Sequence, residues 1–195
     1  MRVGLVGAEK IGRLHIKAID ATVSMELVFI SNPAPSVLKI CKRWGLPAYQ
    51  NAETMFKAEK IDCVIIATPT EYYFDNVMVA LAHHLTVLVD KLIVVPVARG
   101  YEIIRFDRVQ NSHVLVEHQR RYYSFTKWAK GIVQKNQLDT LMAVLSQWIL
   151  GKDSSYYAAK WRREETAGSI LTNLNREIDL LRFIFGDIEA ISAEI

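Results

Sequence analysis

The chain opens on a short apolar strand that ends at a glycine and runs directly into a helix, and this feature limits its fold more than any other. Residues 2–6 (RVGLV) read as a buried strand and Gly7 to Gly12 as a turn. Lys10 to Asp20 has helical spacing through Ile11, Leu14, Ile16 and Ile19. The alternation then repeats. Residues 26–30 (ELVFI) form a strand broken at Asn32-Pro33, and a helix follows from about Ser36 to Trp44. Cys63 to Ala67 is a continuous apolar strand ending in Thr68-Pro69-Thr70. Residues 71–84 are helical, Thr86 to Val89 is a strand, Pro96 to Val109 a helix and His113 to Glu117 a strand.

Strands that are apolar on both faces and alternate with helices imply a parallel sheet covered on both sides. Right-handed crossovers make it an α/β, doubly wound, Rossmann-type fold. After residue 120 the rhythm changes. A helix from about Ser124 to Lys135 leads to an expected strand, Thr140 to Trp148. A polar, aromatic loop (Gly151 to Thr166) precedes a helix from about Ser169 to Phe185, and Asp187 to Ile195 is expected to begin another strand. The expected organisation is a dinucleotide-binding domain over 1–120 and the start of an α+β, mostly antiparallel domain over 121–195. The expectation from length is that the second domain is cut short at Ile195, with an unpartnered sheet edge unless another chain covers it, as in a homo-oligomer.

Bulk composition narrows the function. Apolar residues make up 51% and charged residues 23%, which excludes a disordered chain. The formal net charge of +3 is too small to argue for nucleic acid or a membrane surface. The stretch Arg99 to Lys135 is more basic, which suits a solvated helix face and the rim of an anionic-ligand site. Cys41 and Cys63 lie in apolar patterns without CxxC spacing, as free thiols of a reducing compartment do. No apolar stretch approaches a membrane span or a signal-peptide core, so the expected location is the cytoplasm. No cluster has metal-ligand spacing.

Gly7 and Gly12 hold the first and third positions of a GxGxxG fingerprint. The first glycine makes the tight turn, the last allows close helix–strand packing, and the helix amides face a diphosphate. This places Lys10 and Ile11 in a cofactor loop. Asn32 follows Gly12 by twenty residues, where a ribose-binding acid is expected. The middle position is Glu9 instead of glycine. Its carboxylate stands against the phosphates, and two unit charges ~4 Å apart repel by ~4 kcal/mol at an effective dielectric of ~20. A solvated side chain, or one paired with Lys10 or Arg13, removes much of that cost. With Asn32 in place of an acid, both NAD and NADP remain open.

Several segments together resemble the Gfo/Idh/MocA oxidoreductases, which include glucose–fructose oxidoreductase and inositol dehydrogenase. MRVGLVGAEKIGRLH resembles the family's cofactor loop, and Ala67-Thr68-Pro69-Thr70 its third-strand motif bordering the cofactor. Val87-Leu88-Val89-Asp90-Lys91 is similar to the Glu-Lys-Pro motif, with Asp90 for Glu and Leu92 for Pro. His113 to Tyr122 resembles the strand entering the second domain. SSYYAAKWRR (154–163) and NLNREIDLLRFIFGD (173–187) resemble the substrate loop and the active-site helix.

The resemblance implies a nicotinamide-dependent oxidoreductase that interconverts an alcohol and a ketone on a sugar, cyclitol or related polyol. Lys91 corresponds to the family's catalytic lysine, which orients the substrate hydroxyl and helps move its proton. Asp90 and His118 border the cofactor; His118 and Tyr122 lie near the expected nicotinamide and substrate pocket. Trp161, Arg162 and Asn173 fall in substrate-contacting positions. Trp161 and Arg162 read equally well as a loop anchor, and His118 as a satisfied strand-end histidine. His83 and His84 end a helix and suit its negative pole. Tyr73 and Thr172 replace a histidine and an acid frequent in relatives. Arg176 holds the place of the catalytic histidine in Asn173-Leu174-Asn175-Arg176-Glu177-Ile178-Asp179. A guanidinium stays charged and cannot take a proton from a hydroxyl. Arg176 therefore either binds a substrate oxyanion or pairs structurally with Glu177 or Asp179.

Two main readings follow, with a third behind them. One is an NAD(P)-dependent dehydrogenase slowed by the loss of a general base, a loss of roughly a hundred- to ten-thousandfold in rate. The other is a redox-inactive binding or scaffold protein of the same fold. A glycosidase that uses bound NAD transiently is a third.

Overall fold

The computed structural model describes residues 1–58, 60–93, 96–110, 112–158, 163 and 170–194. The chain forms two compact units, Met1–Glu117 and His118–Ile195.

In the first unit, β1 (Arg2–Val6) pairs in parallel with β2 (Glu26–Ser31) on one side and with β4 (Cys63–Ile66) on the other. β2 pairs with the two-residue β3 (Ala48–Tyr49), β4 with β5 (Thr86–Val89), and β5 with β6 (Val114–Val116). The order is β3-β2-β1-β4-β5-β6, all parallel, which is the Rossmann arrangement. The strand order reverses between β1 and β4, the place where such sheets bind ligands.

Both faces of the sheet are buried, and successive residues serve different cores. Phe29, Val64 and Ile66 pack in one cluster with Met55, Val77 and Leu81. Ile30 and Ile65 pack in the other with Val3, Leu5, Ile16 and Val37. Each such side chain contributes about 1.5–3 kcal/mol when fully buried, which explains why the strands read as unbroken apolar runs.

The helices follow from their apolar spacing and their ends. α1 (Lys10–Asp20) buries Ile16 and Ile19. α2 (Ser36–Trp44) stops at Gly45, whose φ of 66° returns the Leu46 amide to the Cys41 carbonyl. α3 (Ala52–Ala58) and β3 occupy a stretch where the apolar spacing suggests neither. A local signal for α3 exists: Asn51 Oδ1 accepts the Thr54 amide at 2.8 Å, an N-cap bond. α4 (Tyr73–Ala82) continues a short 3₁₀ turn at Thr70–Tyr72, and α5 (Val97–Gln110) returns the chain to β6. His83 and His84 do lie past the end of α4, His84 with φ 57°.

In the second unit a 3₁₀ turn (Gln119–Tyr122) leads into α6 (Ser124–Gln134), and α7 spans Asn175–Phe185. α7 is preceded by a π-helical turn, Ile170–Leu174. The two strands expected after residue 138 are absent among the described residues: 140–150 and 187–194 have no regular hydrogen bonding. A strand is defined by the ladder it makes with a neighbour, and neither segment has one among the described residues. Met142, Leu145 and Ile149 are consequently exposed. No described helix is long and apolar enough to cross a membrane.

Among the described glycines, the closest approach is at α1. A Cβ on Gly12 would lie 2.1 Å from the Gly7 carbonyl oxygen. Gly131, inside α6, has nothing within 4 Å of the same atom. Overpacking costs about 1–3 kcal/mol, and each 1 kcal/mol moves Tm by roughly 2–8 °C. Gly12→Ala should therefore lower Tm by several degrees, while Gly131→Ala raises it slightly by removing helix-interior glycine. Thermal unfolding checks both; an unchanged Tm for Gly12→Ala would contradict the close approach.

Burial pushes the Cys41 thiol up from its ordinary range. Its neutral form is favoured in the folded chain, so its contribution to stability is complete below about pH 8.5 and lost as pH rises above that. Native Cys41 should react with a thiol reagent at pH 8 more than tenfold slower than in urea, read by absorbance.

Candidate functional site

The parallel ladder continues one step past the strand ends and sets the site residues of the first unit in a row. Gly7 N–H donates to the Ser31 carbonyl (2.8 Å), Ala67 N–H to Val6 (2.8 Å), Asp90 N–H to Ile66 (3.3 Å) and Glu117 N–H to Val89 (2.8 Å). Asn32, Gly7, Thr68 and the Asp90-Lys91 pair thus follow one another along the carboxyl edge of the sheet.

At the β1–α1 corner, Gly7 has φ 93°, and a Cβ there would lie 2.6 Å from the Ala67 carbonyl oxygen. Gly7 is therefore required twice, by backbone conformation and by space. α1 begins against it, and the first amides of α1 have no intrahelical acceptor. Glu9 is the N-cap, but its side chain caps nothing. With φ −81° its backbone needs no glycine. The carboxylate is exposed and makes no ion pair among the described residues. Lys10 is also exposed and Ile11 half-buried.

Thr68 Oγ1, directly past β4, is sealed from solvent and has no hydrogen-bond partner among the described residues. A buried polar atom in that state calls for a ligand or an ordered water. Pro69 is exposed and Thr70 opens the 3₁₀ turn. Asn32 Oδ1 accepts the Ala34 amide at 2.9 Å, which holds the side chain in an Asx turn. The glycine cradle, the uncapped helix start and the orphaned hydroxyl fit a dinucleotide diphosphate. The Glu9 carboxylate opposes it.

The Lys91 amide donates to Asp90 Oδ1 at 2.8 Å, and both residues are half-buried at the end of β5. The peptide after Lys91 is cis. His15 on α1 places Nε2 3.3 Å from Glu117 Oε2, with the two side chains 12% and 26% exposed. No sequence motif marks this pair, although His15 lies at helical spacing from Ile11. Tyr73 is 3% exposed and belongs to the core.

In the second unit the 3₁₀ turn is tied to α7 by ion pairs. Arg120 binds Glu177, and Arg121 binds both oxygens of Asp179, with Nε to Oδ2 at 2.8 Å. Asp179 is 9% exposed and holds the Arg121 guanidinium above its already high range. His118 Nδ1 stands 3.3 Å from Asp179 Oδ2. Both carboxylates offered as structural partners for Arg176 are thus engaged by other arginines. Arg176 makes no ion pair among the described residues, and its Nε is sealed without a partner there. Among the same residues the neighbouring Asn175 amide is unpartnered at both ends, as is Gln119 Oε1. No motif in the sequence points to either. Asn173 is half-buried, and Tyr122 is exposed with Lys127 over its ring. Trp161 and Arg162 lie outside the described residues. A shallow depression of about 380 Å³ between α6 and α7, lined by Lys130, Gln134, Arg182 and Phe183 among others, includes none of these groups. Among the described residues no His, Cys, Asp and Glu side chains gather to hold a metal.

Comparison with known proteins agrees with this geometry. The model of the Gfo/Idh/MocA oxidoreductase family, NAD-binding Rossmann fold, matches residues 1–118. The rhizopine catabolism protein MocA of Rhizobium meliloti is 26% identical over 188 residues, covering 95% of this chain and 57% of MocA. The WlbA dehydrogenase of Bordetella pertussis, solved with NADH and UDP-GlcNAcA, superposes with a TM-score of 0.89 at 21% identity, over 95% of this chain and 55% of that one. Myo-inositol 2-dehydrogenase of Lactobacillus plantarum superposes with a TM-score of 0.83 at 18% identity, over 95% and 56%. The chain thus spans just over half the length of these relatives.

Asp179 anchors the second unit. Asp179→Asn leaves Arg121 without its carboxylate and should cost about 1.5–3 kcal/mol in urea unfolding. Adding Arg121→Met should recover part of that loss. Strict additivity of the two would show that the pair contributes nothing.

Proposed function

The chain belongs to the Gfo/Idh/MocA oxidoreductase family with its NAD-binding Rossmann fold, and from that premise we propose that it serves a nicotinamide-dependent dehydrogenase. Its substrate would be the alcohol or ketone carbon of a sugar, cyclitol or related polyol. The observation that carries the reading is the Gly7–Gly12 cradle packed against the Ala67-Thr68 backbone, together with the unpartnered Thr68 hydroxyl.

The α1 amides and Thr68 hold the diphosphate, and Asn32 contacts the ribose through its amide hydrogens. The bound nicotinamide supplies the hydride chemistry. Lys91, just past the end of β5 with its backbone amide held by Asp90, donates through its side chain to the substrate oxygen and stabilises negative charge there. Arg176 cannot accept the hydroxyl proton, so water or a neighbouring group does so and turnover is slow. The likeness to sugar and inositol dehydrogenases supports the substrate class.

The second reading, a binding protein without redox activity, draws on Glu9 and Arg176. NADH titration by fluorescence separates the two. The dehydrogenase reading expects sub-millimolar binding, tightened about ten- to hundredfold by Glu9→Gly as repulsion is removed. Lys91→Met should leave NADH binding intact and abolish polyol-dependent NAD reduction. Absence of NADH binding in both the parent chain and Glu9→Gly would refute the proposal.

A further inference from the structure

Among the described residues of α7 and the turn tied to it, one arginine is left without a carboxylate. Glu177 is engaged by Arg120 and Asp179 by Arg121. The other arginine of α7, Arg182, pairs with Asp187. Arg176 is left with a sealed, unpartnered Nε and no ion pair among the described residues. A polar N–H sealed from water without an acceptor is costly, so the Arg176 Nε calls for a partner.

The unmatched atoms on α7 and on the turn tied to it share a pattern. Asn175 precedes Arg176 at the start of α7, and its amide lacks a described partner at both Nδ2 and Oδ1. Gln119 Oε1 is a sealed acceptor without a described donor. Gln119 adjoins Arg120, whose bond to Glu177 ties the 3₁₀ turn to the first turn of α7. The unmatched set contains a cationic N–H and an amide N–H as donors, and two carbonyl oxygens as acceptors. Its complement is a group with a negative planar acceptor and hydroxyl donors. The unpartnered atom on Arg176 is Nε, and a planar acceptor that meets Nε can also meet the terminal nitrogen on the same edge of the guanidinium. That two-nitrogen fork matches the two oxygens of a carboxylate. The π-helical turn immediately before α7 is a distortion often found at functional sites.

We propose that Arg176, with Asn175 and Gln119, binds the carboxylate and a hydroxyl of a polyhydroxy acid, so that the substrate is a sugar acid instead of a neutral polyol. The inference rests on the dehydrogenase reading and narrows it. Arg176 then acts in recognition, at a position where the family resemblance places a proton acceptor.

The test is calorimetry on the whole 195-residue chain, with glucuronate, glucose, myo-inositol, glucose 6-phosphate and inorganic phosphate as probes. A bidentate, charge-assisted contact should favour glucuronate over glucose by about tenfold or more. Arg176→Gln should erase that preference, and Arg176→Lys, which keeps the charge but loses the fork, should retain part of it. Thermal unfolding of both variants establishes that they fold; should Arg176→Gln not fold, the Lys variant and Asn175→Ala carry the comparison. Equal binding of glucuronate and glucose, or a preference that survives Arg176→Gln, overturns the proposal. Tighter binding of either phosphate probe overturns the carboxylate assignment. NADH titration of the parent chain, run in parallel, separates the two claims. Acid preference without NADH binding removes the dehydrogenase reading, and NADH binding without acid preference removes only this inference.

Discussion

The approach of α1 to the end of β1 governs the first unit. Gly12 faces the Gly7 carbonyl at a distance that admits no side chain, and Gly7 in turn sits against Ala67 and Thr68. These contacts join β1, α1 and the end of β4 at the point where the strand order reverses. The same closeness that excludes side chains leaves backbone amides and the Thr68 hydroxyl at the corner where the proposed dinucleotide site lies. In that reading packing and binding share one arrangement, and the lack of a Cβ serves both.

Glu9 tests how strict that arrangement is. Its backbone conformation is ordinary, so the fold accepts the residue without strain. What it changes is electrostatic: an exposed carboxylate at a helix start that otherwise favours anions. The second unit shows a comparable exchange of chemistry on an intact frame. Arg120 and Arg121 hold the turn to α7 through Glu177 and Asp179, and Arg176 precedes both carboxylates on the helix with its own charge unmatched among the described residues. In the proposed reading, a position where the family resemblance expects proton transfer serves charge recognition instead, with the ion pairs around it kept.

Much of the first unit is legible in the sequence because burial on both faces demands uninterrupted apolar runs. Arg2 to Val6, Cys63 to Ile66 and Thr86 to Val89 announce themselves this way, as do Gly7 and Gly12. α3 is less visible: it is short, and its cap at Asn51 is its clearest sign. The segment after residue 138 misleads for a different reason. Apolar alternation there states a preference for extended backbone, but a strand needs a neighbour that the described residues do not provide. The ion pairs of the second unit are invisible for a third reason. They join residues 57 and 58 positions apart, and nothing local marks which arginine meets which carboxylate. Hence the pattern alone leaves Arg176 between a structural and a binding role, and the pairing of its neighbours supports the latter.

If the β1–α1 corner with Thr68 is a dinucleotide site in this chain, bound NADH shields its backbone from solvent. Amide hydrogen exchange of the whole protein with and without NADH measures it most directly, since it reports where protection arises. NADH should slow exchange in the peptides spanning residues 7–13 and 67–70, with little change at α2 or α3. Protection confined to other segments, or none at saturating NADH, would contradict a dinucleotide site at that corner.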